Sequence, residues 1–154
     1  MSVQSQPGAG TTGATPAGID PRGPQFTASI TVVVLVAILA LPSTPATVLV
    51  ALQTALFALG AVRGVQHTPH AWAFKRFVRP RLAPPTELEA PEPPRFAQGV
   101  GLVFLAVALV GYLAGATLLG QIAVGFALVA AVLNAVFRFC LGCEMYLLIK
   151  RVTA

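Results

Sequence analysis

The chain has 154 residues, of which 56% are hydrophobic and only 10% charged, with a mean hydropathy of +0.79. A soluble domain carries about 25% charged residues, so this composition excludes an ordinary water-covered enzyme and indicates an integral membrane protein. The net charge of +5 is carried by sparse basic residues beside apolar segments. That pattern sets membrane orientation rather than a nucleic-acid interface, and no nucleic-acid partner is expected.

Residues 1–25 are rich in Gly, Pro, Thr, Ser and Ala without periodicity. They carry too little apolar surface to offset the entropy of ordering, and are expected to form a disordered tail. A basic n-region is missing, so they do not read as a signal peptide. The membrane domain is expected over residues 26–151, with a first span at 26–41 (FTASITVVVLVAILAL) stopped by Pro42. A proline inside a helix costs a backbone hydrogen bond, which is why the span ends there. Sixteen residues are short for a hydrocarbon layer of about 30 Å, so either the helix starts earlier or the bilayer thins.

Pro45 opens a second span at 46–65, with Gln53 in its middle and Arg63 near its end. Residues 66–95 hold most of the charge and most of the prolines, and no span crosses there. Within this loop Trp72, Phe74 and Phe77 alternate with Lys75, Arg76 and Arg79, a pattern that predicts a short interfacial helix near 70–79 at headgroup level. Residues 80–94 read as an extended polar loop kept solvated by Glu87, Glu89 and Glu92.

The third span is expected at 96–114, where Gly99, Gly101 and Gly111 offer close approach to a neighbouring helix. The fourth is expected at 121–139 and continues as helix through CLGCEMYLLIK. Asn134 lies inside it, and a buried amide needs a partner, with Gln53 or Gln98 the candidates. The fold class is therefore all-α: an integral membrane four-helix bundle with a cytoplasmic interfacial helix. Arg63 at the end of span two and Lys75, Arg76, Arg79, Arg81 and Arg95 after it lie between the cores of spans two and three, and Lys150 and Arg151 follow span four. Both termini and the middle loop are then cytoplasmic by the positive-inside rule.

The best candidates for chemistry are Cys140 and Cys143, a CxxC at the cytoplasmic end of span four. On a continuous helix the Cβ atoms of residues i and i+3 share one face, about 5–6 Å apart. Arg138, Lys150 and Arg151 favour a thiolate and Glu144 opposes one or relays a proton, so Arg138 and Glu144 are candidate modulators. Spacing leaves open redox or sulfur chemistry, a metal site, and plain packing of two small apolar side chains. For the metal alternative, Cys140, Cys143, His67 and His70 would supply two thiolates and two imidazoles. In a reducing cytosol the pair is expected to rest as a dithiol. No phosphate-binding loop, nucleophile elbow, HExxH or intramembrane carboxylate pair is present, so no cofactor is implied and enzyme status stays open.

The segments IDPRGPQF, FVRPRLAPPTELE, PPRFAQGVGLVF and FCLGCEMYLLIKR together resemble the small bacterial membrane proteins grouped as domain of unknown function 4395, in their actinobacterial form, over residues 19–151. The resemblance implies a multi-span plasma (inner) membrane protein whose recurrent feature is a C-x-G-C ending, here Cys140, Gly142 and Cys143. It also implies a thioredoxin-like or sulfurtransferase protein as partner, besides the lipid bilayer. The residues leave three functions in this order: a cytoplasm-facing thiol-disulfide or sulfur-relay component; a non-catalytic scaffold or assembly partner with packed cysteines; and a metal-binding membrane protein, which the resemblance weakens because His67 and His70 are not part of the family's pattern.

Overall fold

The computed structural model describes residues 18–154. Most of the tail expected over 1–25 lies outside them. From Gly18 on, the chain is held rather than loose. Ile19 and Glu89 exchange two backbone hydrogen bonds of 2.8 and 2.9 Å, and Asp20 pairs with Arg22 at 2.9 Å. The Arg22 guanidinium donates to Asp20 and holds its carboxyl below the usual carboxylate range. It also donates to the Ala83 carbonyl at 3.0 Å, so the segment before the first helix is tied to the loop between the second and third long helices.

Four long helices follow: α1 (Arg22–Ala40), α2 (Ser43–Arg63), α4 (Glu92–Leu113) and α5 (Thr117–Phe137). Between α2 and α4 lies the short α3 (Pro69–Ala73), and α6 (Leu141–Thr153) closes the chain. All four long helices are long and apolar enough to cross a membrane. At 1.5 Å per residue their 19–22 residues span about 28–33 Å, matching the hydrocarbon thickness. Each begins three or four residues before the expected span. Three of the four carry proline in or beside the opening turn, at Pro24, Pro45, Pro93 and Pro94. The first-turn N–H groups have no intrahelical acceptor, so proline is compatible with a helix start. Prolines that read as loop are helix openings, which resolves the short first span in favour of an earlier start.

The ends are equally explicable. Gly64 closes α2 with φ 96° and Gly115 follows α4 with φ 77°, conformations that glycine adopts without the Cβ penalty. The Arg95 guanidinium donates to the carbonyls of Ala61 and Val62 at 2.7 and 2.8 Å. It thereby satisfies two orphan acceptors at the end of α2 and sets a cation at the negative pole of that helix.

The helices close a ring in the order α1, α2, α4, α5, and α6 lies against α4. The fully packed core is Leu35, Ile38, Val50, Leu105, Ala108 and Val124 with their neighbours. These residues come from the C-terminal halves of α1 and α4 and the N-terminal halves of α2 and α5, so the tight packing sits at the end remote from the charged loop. There Gly111 meets Gly120: a Cβ on Gly111 would lie 2.8 Å from the Gly120 nitrogen. Gly101 has no room either, with the Phe57 ring 2.5 Å from its would-be Cβ, whereas Gly99 faces open space. Of the three glycines expected to receive a neighbouring helix, two do so within the chain.

Gln53 is buried and donates to Thr31 Oγ1 at 3.4 Å, not to Asn134. The outer surface is apolar, with Val33, Val48, Val103, Val110, Phe126 and Val136 exposed. A monomer in water does not leave so much contiguous apolar area uncovered, whereas a bilayer covers it. The loop helix expected near 70–79 is a chain of short turns: α3, a π-helical turn at Phe74–Val78 and a 3-10 turn at Arg79–Arg81. Phe74 turns inward and stacks on Phe26 with centroids 5.7 Å apart. Trp72 and Phe77 stay exposed and pack edge to face. Only those two of the three expected aromatic anchors face outward.

Candidate functional site

The site begins where α5 stops. Residues 121–139 and CLGCEMYLLIK were expected to run on as one helix, but α5 ends at Phe137 and Arg138 adopts φ 55°. The Arg138 and Phe139 N–H groups both return to the Leu133 carbonyl, the latter at 3.1 Å, and this closes the helix through its left-handed residue. Arg138 fills a place usually taken by glycine. Sequence periodicity runs through this point because apolar residues continue on both sides, so only the left-handed turn reveals the break. Gln25 Nε2 donates to the Ala135 carbonyl at 3.0 Å and satisfies one acceptor of the last turn.

After the break Cys140 becomes the N-cap of α6, with extended backbone. The Cys143 N–H donates to the Cys140 sulfur at 3.3 Å. The two cysteines are not on successive turns of one helix: one precedes α6 and the other lies in its first turn. Their Cα atoms are 5.2 Å apart and the sulfurs are joined as a disulfide, within the usual Cα range for such a bridge. No cysteine is free among the described residues. The turn into α6 lets the two sulfurs meet, so the pair is placed for a disulfide by a helix cap and not by a shared helix face.

The turn also directs α6 across the bundle. It packs on α4, with little contact to α5. Gly142 lies over Ala97, where an added Cβ would come within 2.7 Å of the Ala97 Cα, and Tyr146 stacks on Phe96 at 5.7 Å. Leu141, Met145, Leu148 and Val152 recur at helical spacing, while Glu144, Lys150 and Arg151 form the charged remainder. α6 is an amphipathic helix, not a prolongation of a span.

Arg138 and Glu144 both flank the disulfide and are exposed. Glu144 gives its backbone N–H to the Cys140 carbonyl at 3.0 Å. The histidines stand apart. His67 is exposed, with Nδ1 2.8 Å from the Arg63 carbonyl oxygen, and burial pushes the His70 imidazole pKa below its ordinary value. Among the described residues no three His, Cys, Asp or Glu side chains gather as a metal site, so Cys140, Cys143, His67 and His70 do not assemble.

Periodicity and spacing gave no sign of a cavity of about 300 Å³ between the loop-side halves of the long helices and α6. Cys140, Gln98 and Asn134 line it, together with Phe104, Phe126 and Ala130. Asn134, expected to pair with Gln53 or Gln98, instead borders this cavity, and neither it nor Gln98 has a side-chain hydrogen bond among the described residues. The signal available in the sequence was the pair of amides in otherwise apolar helices on the same side as the CxxC.

No curated protein and no solved structure matches the chain. The family described as Domain of unknown function (DUF4395) matches residues 19–151, which include the four long helices, the charged loop and the disulfide turn. With nearly all of its length inside that match, this membrane-like helical bundle belongs to the DUF4395 family.

Proposed function

We propose that the protein is a multi-pass component of the bacterial plasma membrane that exchanges electrons between Cys140–Cys143 and a thioredoxin-like or sulfurtransferase partner in the cytoplasm. The observation that carries this reading is the CxxC at the opening of α6, with Cys140 at the N-cap and its sulfur within reach of the Cys143 N–H. A helix N-terminus favours negative charge, so a reduced Cys140 is favoured as thiolate. Both termini and the loop of residues 64–91 face the cytoplasm in this reading, because the basic residues cluster there.

Exchange then follows ordinary chemistry. The Cys140 thiolate attacks a sulfur of the partner's disulfide, an S–S bond forms between the chains, and the partner's other sulfur leaves as thiolate. Cys143 loses its proton, attacks the Cys140 sulfur and releases the partner's second thiolate. The products are the Cys140–Cys143 disulfide and a partner dithiol that has taken up two protons, one given up by Cys143 and one from solvent, which balances the proton Cys140 lost on becoming a thiolate. Run in reverse, the same steps oxidise a partner dithiol.

The test is alkylation of the full chain in membranes equilibrated with graded thiol-disulfide buffers. A single two-electron transition is expected, absent in Cys140→Ser and Cys143→Ser. Thiols that in the reduced, folded protein stay unmodified until unfolding would sink the proposal. The packing of Gly142 on Ala97 favours a second reading, a scaffold whose cysteines only shape the turn. In that case a double Cys→Ala variant keeps full function and partner association.

A further inference from the structure

The cavity at the disulfide has a composition that an acyl chain would not need. Its wall is mostly apolar, yet Cys140, Gln98 and Asn134 are among its lining residues, the Gln98 amide leaning with its Oε1 toward Gly60 of α2. Polar side chains in an apolar wall cost free energy unless they are hydrogen-bonded, and no protein partner takes up either amide among the described residues. The remaining lining is aromatic and aliphatic apart from Thr27 and Thr31, and includes the rings of Phe104 and Phe126, whose centroids are 6.0 Å apart. A volume of about 300 Å³ is at the small end of ligand pockets and suits one substituted ring.

Access is lateral. Phe126 and Val129 line the cavity and are also exposed on the outer face of α5, the surface a bilayer would cover. From Phe126 to Asn134 is eight residues, about 12 Å along α5, so the cavity reaches from mid-helix to the turn that carries the cysteines. A ligand that partitions into lipid reaches it without passing through water.

We infer that this cavity binds a lipid-soluble quinone, with the amides of Gln98 and Asn134 as hydrogen-bond donors to its carbonyl oxygens, and that the quinone oxidises the reduced Cys140–Cys143 pair. The inference rests on the thiol-exchange reading above and supplies the electron acceptor for its reverse direction. In the step both S–H bonds break and one S–S bond forms. Two electrons and two protons pass to the quinone, whose two carbonyls become hydroxyls. A membrane-soluble two-electron, two-proton acceptor matches a dithiol in stoichiometry.

The experiment uses the full chain, reduced and freed of reductant in nanodiscs, mixed with a fully substituted benzoquinone bearing a decyl chain. Such a quinone has no free ring position for thiol addition. Hydroquinone absorbance and thiol loss are followed together. One hydroquinone per chain is expected, none with the double Cys→Ser variant, and at least tenfold slower oxidation in Ala130→Phe and Val100→Phe, which fill the cavity from two helices. Exchange with a thiol-disulfide buffer should be unchanged in both filling variants, which also shows that they are folded.

Wild-type protein that exchanges with the buffer but is not oxidised by the quinone overturns this inference and leaves thiol exchange standing. A pair inert to both overturns thiol exchange as well. If the filling variants are lost on folding, an azido-quinone supplies the second readout. Cross-linking within residues 98–104, 126–134 or 140–145 supports the cavity. Labelling elsewhere, or equal displacement by a saturated fatty acid, overturns it.

Discussion

Arg138 and Cys140 stand two residues apart and set the geometry of the site in different ways. A left-handed conformation costs a non-glycine residue about 1–2 kcal/mol, and Arg138 adopts it at φ 55°. Replacing Arg138 by Gly relieves that cost, so Arg138→Gly should raise thermal stability in detergent by about 1 kcal/mol, whereas Arg138→Val should lower it. Circular dichroism melts of the two variants decide this; a destabilised Gly variant would mean that the guanidinium itself holds the turn. Cys140 owes its character to its place at the head of α6. Its sulfur receives a backbone N–H and lies at the positive helix pole. Comparing single-cysteine proteins, alkylation at neutral pH is expected to be several-fold faster for Cys140, in Cys143→Ser, than for Cys143, in Cys140→Ser. Equal rates would remove the helix terminus as the activating group.

At the level of helices the bundle is built asymmetrically. Small residues bring α4 and α5 together at the end remote from the loop, where the Gly111 and Gly120 backbones nearly touch. At the loop end larger side chains and the arrival of α6 leave a cavity. Overpacking a close helix crossing costs about 1–3 kcal/mol or more, so Gly111→Leu should destabilise the bundle severely. Gly99→Ala, into open space, should change stability by less than about 0.5 kcal/mol. Thermal aggregation midpoints in one detergent test the contrast, and a similar loss at both positions would show that Gly99 meets a partner outside the chain. Arg95 belongs to this scale too. It contributes to the positive loop and also fastens α4 to the end of α2 through two carbonyls.

Over the whole molecule, the disulfide turn, the charged loop and α6 share one end of the bundle, since α6 rests on the first turns of α4. Orientation therefore determines which compartment the thiols meet. In a double Cys→Ser background, a cysteine introduced at Thr86 in the loop and one at Ala116 between α4 and α5 should label oppositely. Thr86→Cys is expected to react only in inverted vesicles and Ala116→Cys in intact cells, with an impermeant maleimide as reagent. The reverse pattern would overturn the cytoplasmic assignment and move any soluble partner to the other side.

The four long helices, their order, their apolar outer faces and the CxxC were legible in the residues themselves, because hydropathy and charge are local properties that a bilayer converts directly into spans and sides. Two helix starts, those of α1 and α4, lie earlier than the apolar runs because Pro24, Pro93 and Pro94 occupy opening turns and not loop. Three features depended on the folded chain. The αL turn at Arg138 made Cys140 a helix cap. The burial of Phe74 against Phe26 left only Trp72 and Phe77 outside. The gap beside Cys140 left Gln98 and Asn134 facing a cavity. Each depends on which side chains from distant segments meet, and apolar periodicity reports that a face is buried without reporting what fills the space against it.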